Sequence, residues 1–326
     1  MELSLTNKHG MTCKISRKEL DQFYILLEKG LSTKQCLTLA FDHGEKLIQE
    51  MEKGRNLQEL LFNLQKGTFY QRIYLLTQYL PLKESIHVSR NIEAVTKLFT
   101  EELMKQVLYP SILFLTSLLM SLFFIHDIIP QMNEYIDQGF FVSILYGIKN
   151  INICIFILGC IFIIIGIFTK IHKKFHQFIY RMTALFIFPF KTLISIEFCY
   201  LFQALSAKKI STLHLCKILK KFKKNLYCEY LIDHFIEQLQ HGMSIQEAFI
   251  KNPWIDPLFN QYFKMGHMTN IQELLDLFIE QRTLYLKQIM KKYSIGFQIF
   301  SYLNVGVMVI CMYQILLMPM NMLYTF

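Results

Sequence analysis

No Cys-x-x-Cys pair occurs anywhere in this sequence, although it holds eight cysteines. Cys154, Cys160 and Cys311 fall inside apolar runs, and Cys13, Cys36, Cys199, Cys216 and Cys228 are scattered. Neither a disulfide framework nor a zinc site is indicated, and reduced thiols are expected. Also missing are the phosphate loop Gly-x-x-x-x-Gly-Lys-[Ser/Thr], the nucleophile elbow Gly-x-Ser-x-Gly, the metal motif His-Glu-x-x-His and the dinucleotide fingerprint Gly-x-Gly-x-x-Gly. Without these, ATP hydrolysis by the phosphate-loop route is excluded, and no constellation for an enzyme stands out. No cofactor and no metal are expected. Alternating Val/Thr runs closed by Asn-Gly turns are absent, so strands find little support. Met1 to Lys18 is polar and contains no apolar h-region, so no cleavable signal peptide is expected and the first apolar span is expected to act as the insertion signal.

What is present is long and apolar. Hydrophobic residues make up 53% of the 326 and charged residues 18%, with a mean hydropathy of +0.30. That balance suits soluble modules joined to a few membrane spans. Val107 to Ile125, Ile151 to Thr169 and Tyr293 to Phe326 carry no charge. Each approaches or exceeds the roughly 20 residues that cross a ~30 Å hydrocarbon core. Leu185 to Leu205 is apolar too, but Pro189, Lys191 and Glu197 interrupt it, and it reads as an amphipathic approach helix. Apart from their ends, the three spans lack Asp, Glu, Lys and Arg, which weakens a transporter or proton relay. Ser117 and Ser121 in the first span, Gly159 and Gly166 in the second, and Asn304, Gly306 and Gln314 in the third read as packing positions, with contact to a translocating partner helix as the other reading.

The flanks orient these spans. The segment between the first two carries Asp127, Glu134 and Asp137 against Lys149, whereas Lys170, Lys173, Lys174 and Arg181 follow the second. The positive-inside rule places the acidic loop outside and both long basic segments, with the N-terminus, in the cytoplasm. The net charge of +9 is concentrated in part at Lys217, Lys220, Lys221, Lys223 and Lys224. Lys217, Lys220, Lys221 and Lys224 share one helix face, which reads as a solvated face, a surface for anionic lipid head groups, or a contact for an acidic protein. Interleaved aromatics suited to base stacking are missing, so no direct nucleic-acid binding is expected.

The chain also repeats itself. Gly54-Arg55-Asn56-Leu57-Gln58-Glu59-Leu60-Leu61 returns as Gly242-Met243-Ser244-Ile245-Gln246-Glu247-Ala248-Phe249, and His87-Val88-Ser89 returns as His267-Met268-Thr269. The apolar run stopping at Ile129-Pro130 returns as the one stopping at Met318-Pro319, and Phe202 to Ser211 aligns with Phe23 to Ser32. This is a duplicated domain rather than a stacked array. Each copy reads as helical, with Leu20, Phe23, Tyr24, Leu27 and Leu31 at helical spacing in one, and Leu274, Leu277, Phe278 and Tyr285 in the other. Gly30, Gly54 and Gly242 are expected to end helices in the left-handed conformation. Ser32, Asn56 and Ser244 are expected to cap the next ones, with Glu59 and Glu247 reaching back to the cap from three residues on.

These features resemble the type II secretion F domain, the duplicated module of membrane platform proteins in type II secretion, type IV pilus and competence systems. The likeness rests on Leu27-Glu28-Lys29-Gly30-Leu31-Ser32, on the Gly-x-[Asn/Ser]-[Leu/Ile] turn at Gly54 and Gly242, and on spans that close on Pro130 and Pro319. The short soluble extension before the first domain resembles the competence-pseudopilus branch. Where the family has glutamate and glycine in a later segment, this chain has His87 and Arg90, and then His267 and Asn270. The two histidines read as neutral hydrogen-bonding replacements or a shared interaction feature. A metal pair lacks any carboxylate or cysteine at ligand spacing.

The resemblance implies an all-α membrane protein with two homologous cytoplasmic helical bundles and three transmembrane helices. The expected organisation is a first bundle over 1–106, a span over 107–129, an external loop over 130–150 and a return span over 151–169. A second bundle over 170–292, a span over 293–319 and a short external tail over 320–326 complete it. The implied role is a non-enzymatic platform in the cell membrane, coupling a cytoplasmic assembly ATPase to pilin-like subunits during assembly of a competence pseudopilus for DNA uptake. The platform is expected to be a homo-oligomer in contact with membrane lipids. A small-molecule transporter or channel, and a membrane-anchored adaptor unrelated to secretion, are the other readings.

Overall fold

A computed structural model describes residues 15–63, 65, 67–131, 140–171, 188–206, 212–220, 226–266 and 270–323. Every regular element among them is helical. In the first copy these are α1 (Arg17–Glu28), α2 (Thr33–Ala40), α3 (Gly44–Glu52), a π-helical turn (Glu59–Asn63), α4 (Thr68–Leu76) and α5 (Leu82–Phe123). A π-helical segment, Phe124–Ile128, and Ile129–Gln131 extend α5, and α6 (Phe140–Ile171) follows. The second copy supplies α7 (Phe188–Ser206), α8 (Thr212–Lys220), α9 (Leu226–Gln240), α10 (Ile245–Ile250), α11 (Pro257–Gly266) and α12 (Ile271–Leu323). The two copies thus present the same order of elements, with α10 standing where the π-helical turn stands and α12 where α5 stands.

The chain divides into two compact units, one made of residues up to Thr96 with Phe190–Arg282, the other of Lys97–Pro189 with Thr283–Phe326. Both soluble copies therefore belong to a single unit, where the sequence suggested a bundle for each.

In the first unit, the early core gathers Leu20, Phe23, Cys36, Leu37, Leu61, Phe62, Ile73 and Ile86, each almost fully buried. The later core is aromatic. Phe249 lies at its centre, with the rings of Phe235, Phe263, Phe259, Phe198 and Phe202 between 4.3 and 6.0 Å away. Burying such rings supplies a large apolar payload, and their tilted and edge-on contacts suit the ring quadrupoles. Helix α7 is sunk into this core on most of its sides, through Ile194, Ile196, Phe198, Cys199, Leu201, Phe202 and Leu205. It is a core helix rather than the amphipathic approach helix expected from its polar interruptions. One of those interruptions is paired: Glu197 bridges Arg72 of α4 at 2.8 Å, with both side chains largely buried.

In the second unit, α5 and α12 run parallel. Ser294 Oγ donates to the Gln106 carbonyl (3.3 Å), Ser301 Oγ to the Pro110 carbonyl (3.4 Å) and Ser117 Oγ to Asn304 Oδ1 (2.6 Å), so residue numbers rise together. Helix α6 runs the opposite way. Its Val142 and Leu145 pack with Phe124, Ile125, Ile129, Met312 and Ile315, whereas Asn152 meets Ser117 and Asn304. Among the described residues, three helices are long and apolar enough to cross a membrane, within Leu82–Gln131, Phe140–Ile161 and Ile271–Leu317. Two boundaries differ from expectation. The segment read as an external loop over 130–150 is helical from Phe140, and α12 continues through Pro319 to Leu323.

Candidate functional site

Two clusters bring together residues singled out in the sequence, one in each unit. The first surrounds Tyr24, on the buried face of α1. Its phenol oxygen lies 2.6 Å from Nδ1 of His87 on α5, and the Asn91 amide nitrogen lies 3.1 Å from Nε2 of the same ring. Tyr24 also donates to Glu28 Oε1 at 3.4 Å. One neutral tautomer satisfies the whole chain: Asn91 donates to Nε2, Nδ1–H donates to Tyr24, and Tyr24 donates to Glu28. Burial and the Glu28 carboxylate raise the Tyr24 pKa above its ordinary value, against the pull of Arg90, so the phenol stays a donor. Arg90 covers the ring face, its guanidinium carbon 4.5 Å from the centroid, and its Nε lies 3.3 Å from Asp21. His87 and Arg90 therefore hold the same tyrosine, one at the hydroxyl and one at the π face.

This cluster lines a groove of about 690 Å³ whose opposite wall carries Tyr200, Gln203, Gln272 and Asp276 from the second copy. Gln203 is itself tied to Asp276 Oδ1 at 2.8 Å. Helices α1 and α5 form one wall and α7 and α12 the other, so equivalent elements of the two copies face each other. His267, the partner of His87 in the repeat, lies outside the described residues.

The second cluster joins all three apolar helices. Ser117 donates to Asn304 Oδ1 at 2.6 Å, Asn304 Nδ2 donates to Asn152 Oδ1 at 2.8 Å, and Asn152 Nδ2 lies 3.4 Å from both Ser117 Oγ and Asn304 Oδ1. All three side chains are buried. Sequence reading paired Ser117 and Asn304 with helix packing but passed over Asn152, which contributes the third side. Ser121 is also buried and bonds back to the Leu118 carbonyl at 2.8 Å. Gln314 is half-buried. A methyl group added at Gly159 or Gly306 would meet nothing within 4 Å, so these glycines do not mark close helix approach.

A proline adds a second polar seam to the same helices. Pro110 interrupts α5 and has no N–H to offer the carbonyl four residues back. That carbonyl belongs to Gln106, and it is the one that accepts from Ser294 of α12. A neighbouring serine thus satisfies the backbone group that proline frees.

The repeat turns have local explanations. At Gly30, Gly54 and Gly242 the backbone takes φ of 83°, 84° and 78°. Each closes a pair of bonds from the turn back to the helix, such as Gly242 N to Leu239 O (3.1 Å) and Met243 N to Gln238 O (3.2 Å). Ser32 and Ser244 carry complete capping boxes, with Gln35 and Glu247 as their third residues. Asn56 works differently. Its Oδ1 accepts from the Gln58 N–H at 3.2 Å, its carbonyl takes both the Glu59 and Leu60 N–H groups, and the chain enters the π-helical turn. The reciprocal bond expected from Glu59 is not formed among the described residues, because the wider turn begins at that residue. A third capping box, Ser16 with Glu19, opens α1 and went unread in the sequence.

Of the basic cluster, Lys217 and Lys220 are exposed on α8, and Lys220 Nζ lies 2.6 Å from Asp233. Lys221 and Lys224 lie outside the described residues. Cys36, Cys199 and Cys216 are buried and free, and burial raises their thiols, that of Cys216 to about 12. No group of three metal-ligating side chains occurs among the described residues.

Sequence reasoning also missed the most enclosed charge in the first unit. Asp256 is wholly buried. It pairs with Arg282 (2.6 Å), accepts from Thr192 Oγ1 (3.0 Å) and caps α11 through the Leu258 N–H (2.9 Å). Aspartate before proline at a helix start was the available signal. Comparison with family models, curated proteins and solved structures finds no match to the chain.

Proposed function

We propose that this chain is a non-enzymatic platform of a secretion or pilus-type machine in the cell membrane. One observation carries the reading: the same order of helices occurs twice, each copy ending in a long apolar helix, with α5 and α12 parallel and α6 running back between them in sequence. Two copies that do one job on one side of a membrane need an odd return pass, and α6 supplies it. The charge flanks support a reading with the N-terminus and both soluble copies in the cytoplasm and the acidic Asp127–Asp137 segment outside.

In this reading the soluble copies receive a cytoplasmic assembly ATPase, and the apolar helices meet pilin-like subunits on their way into a fibre. The fibre is a competence-type pseudopilus for DNA uptake. Helices α5 and α12 each contribute residues to both compact units, so they are the elements through which motion would pass. Oligomers of the chain in contact with lipid form the working assembly.

The test is co-purification. The tagged chain is co-expressed with a secretion-type assembly ATPase and pilin-like proteins from the same organism. Retention of both classes of partner, lost when the Gly54 and Gly242 turns are replaced by valine, is the expected result. Retention of neither class by the intact chain overturns the proposal.

A further inference from the structure

We infer that Lys105 of α5 and Lys287, Lys291 and Lys292 of α12 form a docking surface for anionic phospholipid headgroups, at the end where both helices enter the membrane. The inference rests on the membrane-spanning part of the proposed function and is independent of any ATPase or pilin-like subunit.

Position along the helices is the first argument. On α5 the uncharged stretch begins at Gln106, directly after Lys105; on α12 it begins at Tyr293, directly after Lys292. Ser294 Oγ donates to the Gln106 carbonyl at 3.3 Å, so the two boundaries stand side by side and the two lysines share one depth. Lys287 precedes Lys292 by about 7.5 Å along the axis. The headgroup layer on each side of a bilayer is about 5–7 Å thick, and a lysine stem carries its charge several ångströms farther along the helix. All four ammonium groups therefore reach that layer.

Surroundings are the second argument. All four lysines are exposed, and among the described residues none pairs with a carboxylate. The acids of the same stretch are engaged elsewhere: Glu101 faces Lys97 at 3.5 Å, and Glu102 accepts from Gln106 at 3.2 Å. At 3.6 residues per turn, Lys287, Lys291 and Lys292 share one arc of α12 with the exposed Leu284, Ile295 and Ile299, opposite the buried Leu286, Met290 and Ser294. The charged surface thus runs on into an apolar one. Tyr109 and Tyr293, both exposed, stand at the same border, where amphipathic rings settle. An anionic lipid answers the ammonium groups with its phosphate while its chains cover Ile295 and Ile299. A soluble acidic partner would do only the first. Lys217 and Lys220 of α8 lack this continuity: they belong to the other compact unit, and Lys220 is met by Asp233.

The experiment places the full-length chain in nanodiscs and reads lipid contact by quenching of a tryptophan with brominated acyl chains. Ile295→Trp reports on the lysine end of α12 and Tyr313→Trp on its other end, with the unsubstituted chain, which holds only Trp254, as background. A lysine at an anionic membrane surface is worth about fivefold in affinity. At position 295, brominated phosphatidylglycerol is expected to bind at least about fivefold more tightly than brominated phosphatidylcholine, and at position 313 the two should be equal. Lys105→Gln/Lys287→Gln/Lys291→Gln/Lys292→Gln should erase the preference at 295, and the corresponding four arginine replacements should keep it. Unchanged quenching of position 313 by phosphatidylcholine shows that each variant still embeds. Equal quenching by the two lipids at 295 overturns the inference, as does a preference that survives the glutamine replacements or appears equally at 313. Loss of the preference in inorganic phosphate, at an ionic strength where chloride leaves it intact, also overturns it, because the lysines would then take free phosphate. No quenching at either position by either lipid would instead show that α12 does not enter a bilayer, and the membrane reading would fall together with the inference.

Discussion

Tyr24 and His87, sixty-three residues apart in sequence, place a phenol oxygen 2.6 Å from an imidazole nitrogen and join the first helix of the early copy to its last. Loss of the hydroxyl leaves Nδ1 of His87 without its partner. Tyr24→Phe is therefore expected to lower stability by about 1 kcal/mol, read as a fall in thermal midpoint of the full-length protein in detergent. His87→Ala should cost a similar amount, and the double variant little more than either. Strict additivity would show that the two side chains do not interact.

The capping box at Ser244 gives a pH-dependent term. Hydrogen bonds from the Ser244 backbone and then its side chain hold the Glu247 carboxyl below its ordinary value. A depressed folded-state value means that the contribution is complete above the unfolded value near ~4.3 and fades as pH falls through the folded one. The stability difference between the natural chain and Glu247→Gln should be full at neutral pH and vanish in acid. Ser244→Ala should cost about 1 kcal/mol, as loss of a serine cap does, and Asn56→Ala no more than this.

Asp256 is sealed from water and its charge is answered by Arg282 at 2.6 Å. Removing one member of such a pair leaves a buried charge uncompensated. Arg282→Ala is expected to cost about 3–5 kcal/mol, seen as a large drop in thermal midpoint or failure to accumulate. Asp256→Asn should cost less, because a neutral amide can still accept from the Leu258 N–H.

Pro110 and Ser294 should be coupled through a group that belongs to neither, the Gln106 carbonyl. Ser294→Ala orphans that carbonyl, with an expected cost of about 1 kcal/mol. In a Pro110→Ala background the helix regains its own N–H donor at this position, and the same serine replacement should then be close to neutral. A double-mutant cycle of thermal midpoints measures the coupling. Equal costs in the two backgrounds would place the effect of Ser294 elsewhere.

Local features were legible in the sequence because they are built within a few residues. Glycine at Gly30, Gly54 and Gly242, followed two residues on by a serine or asparagine, specifies both the left-handed turn and the cap. Asn56 shows the boundary of that logic: the same spacing as Ser244 leads into a π-helical turn in one copy and an α-helix in the other, although both segments bury their apolar residues. The register of α6 against its neighbours was less legible. Ile151 to Thr169 is the most apolar stretch around α6, yet its register is set by a bond between Asn152 and residues 35 and 152 positions away in the chain. The Asp256–Arg282 pair, the Tyr24–His87 contact and the packing of α7 are long-range in the same sense. Hydropathy periodicity locates a helix and says little about which side chains it will meet.

The central claim is that both soluble copies lie on one side of the membrane, with α6 as the single return pass. Single cysteines at Lys29, Gln131 and Lys251, in a chain freed of its own cysteines, test it with a membrane-impermeant thiol reagent on intact cells. The account predicts labelling at position 131 only, with 29 and 251 reacting after the membrane is opened. Labelling of 251 from outside while 29 stays protected would contradict it, since the second copy would then lie across the membrane from the first.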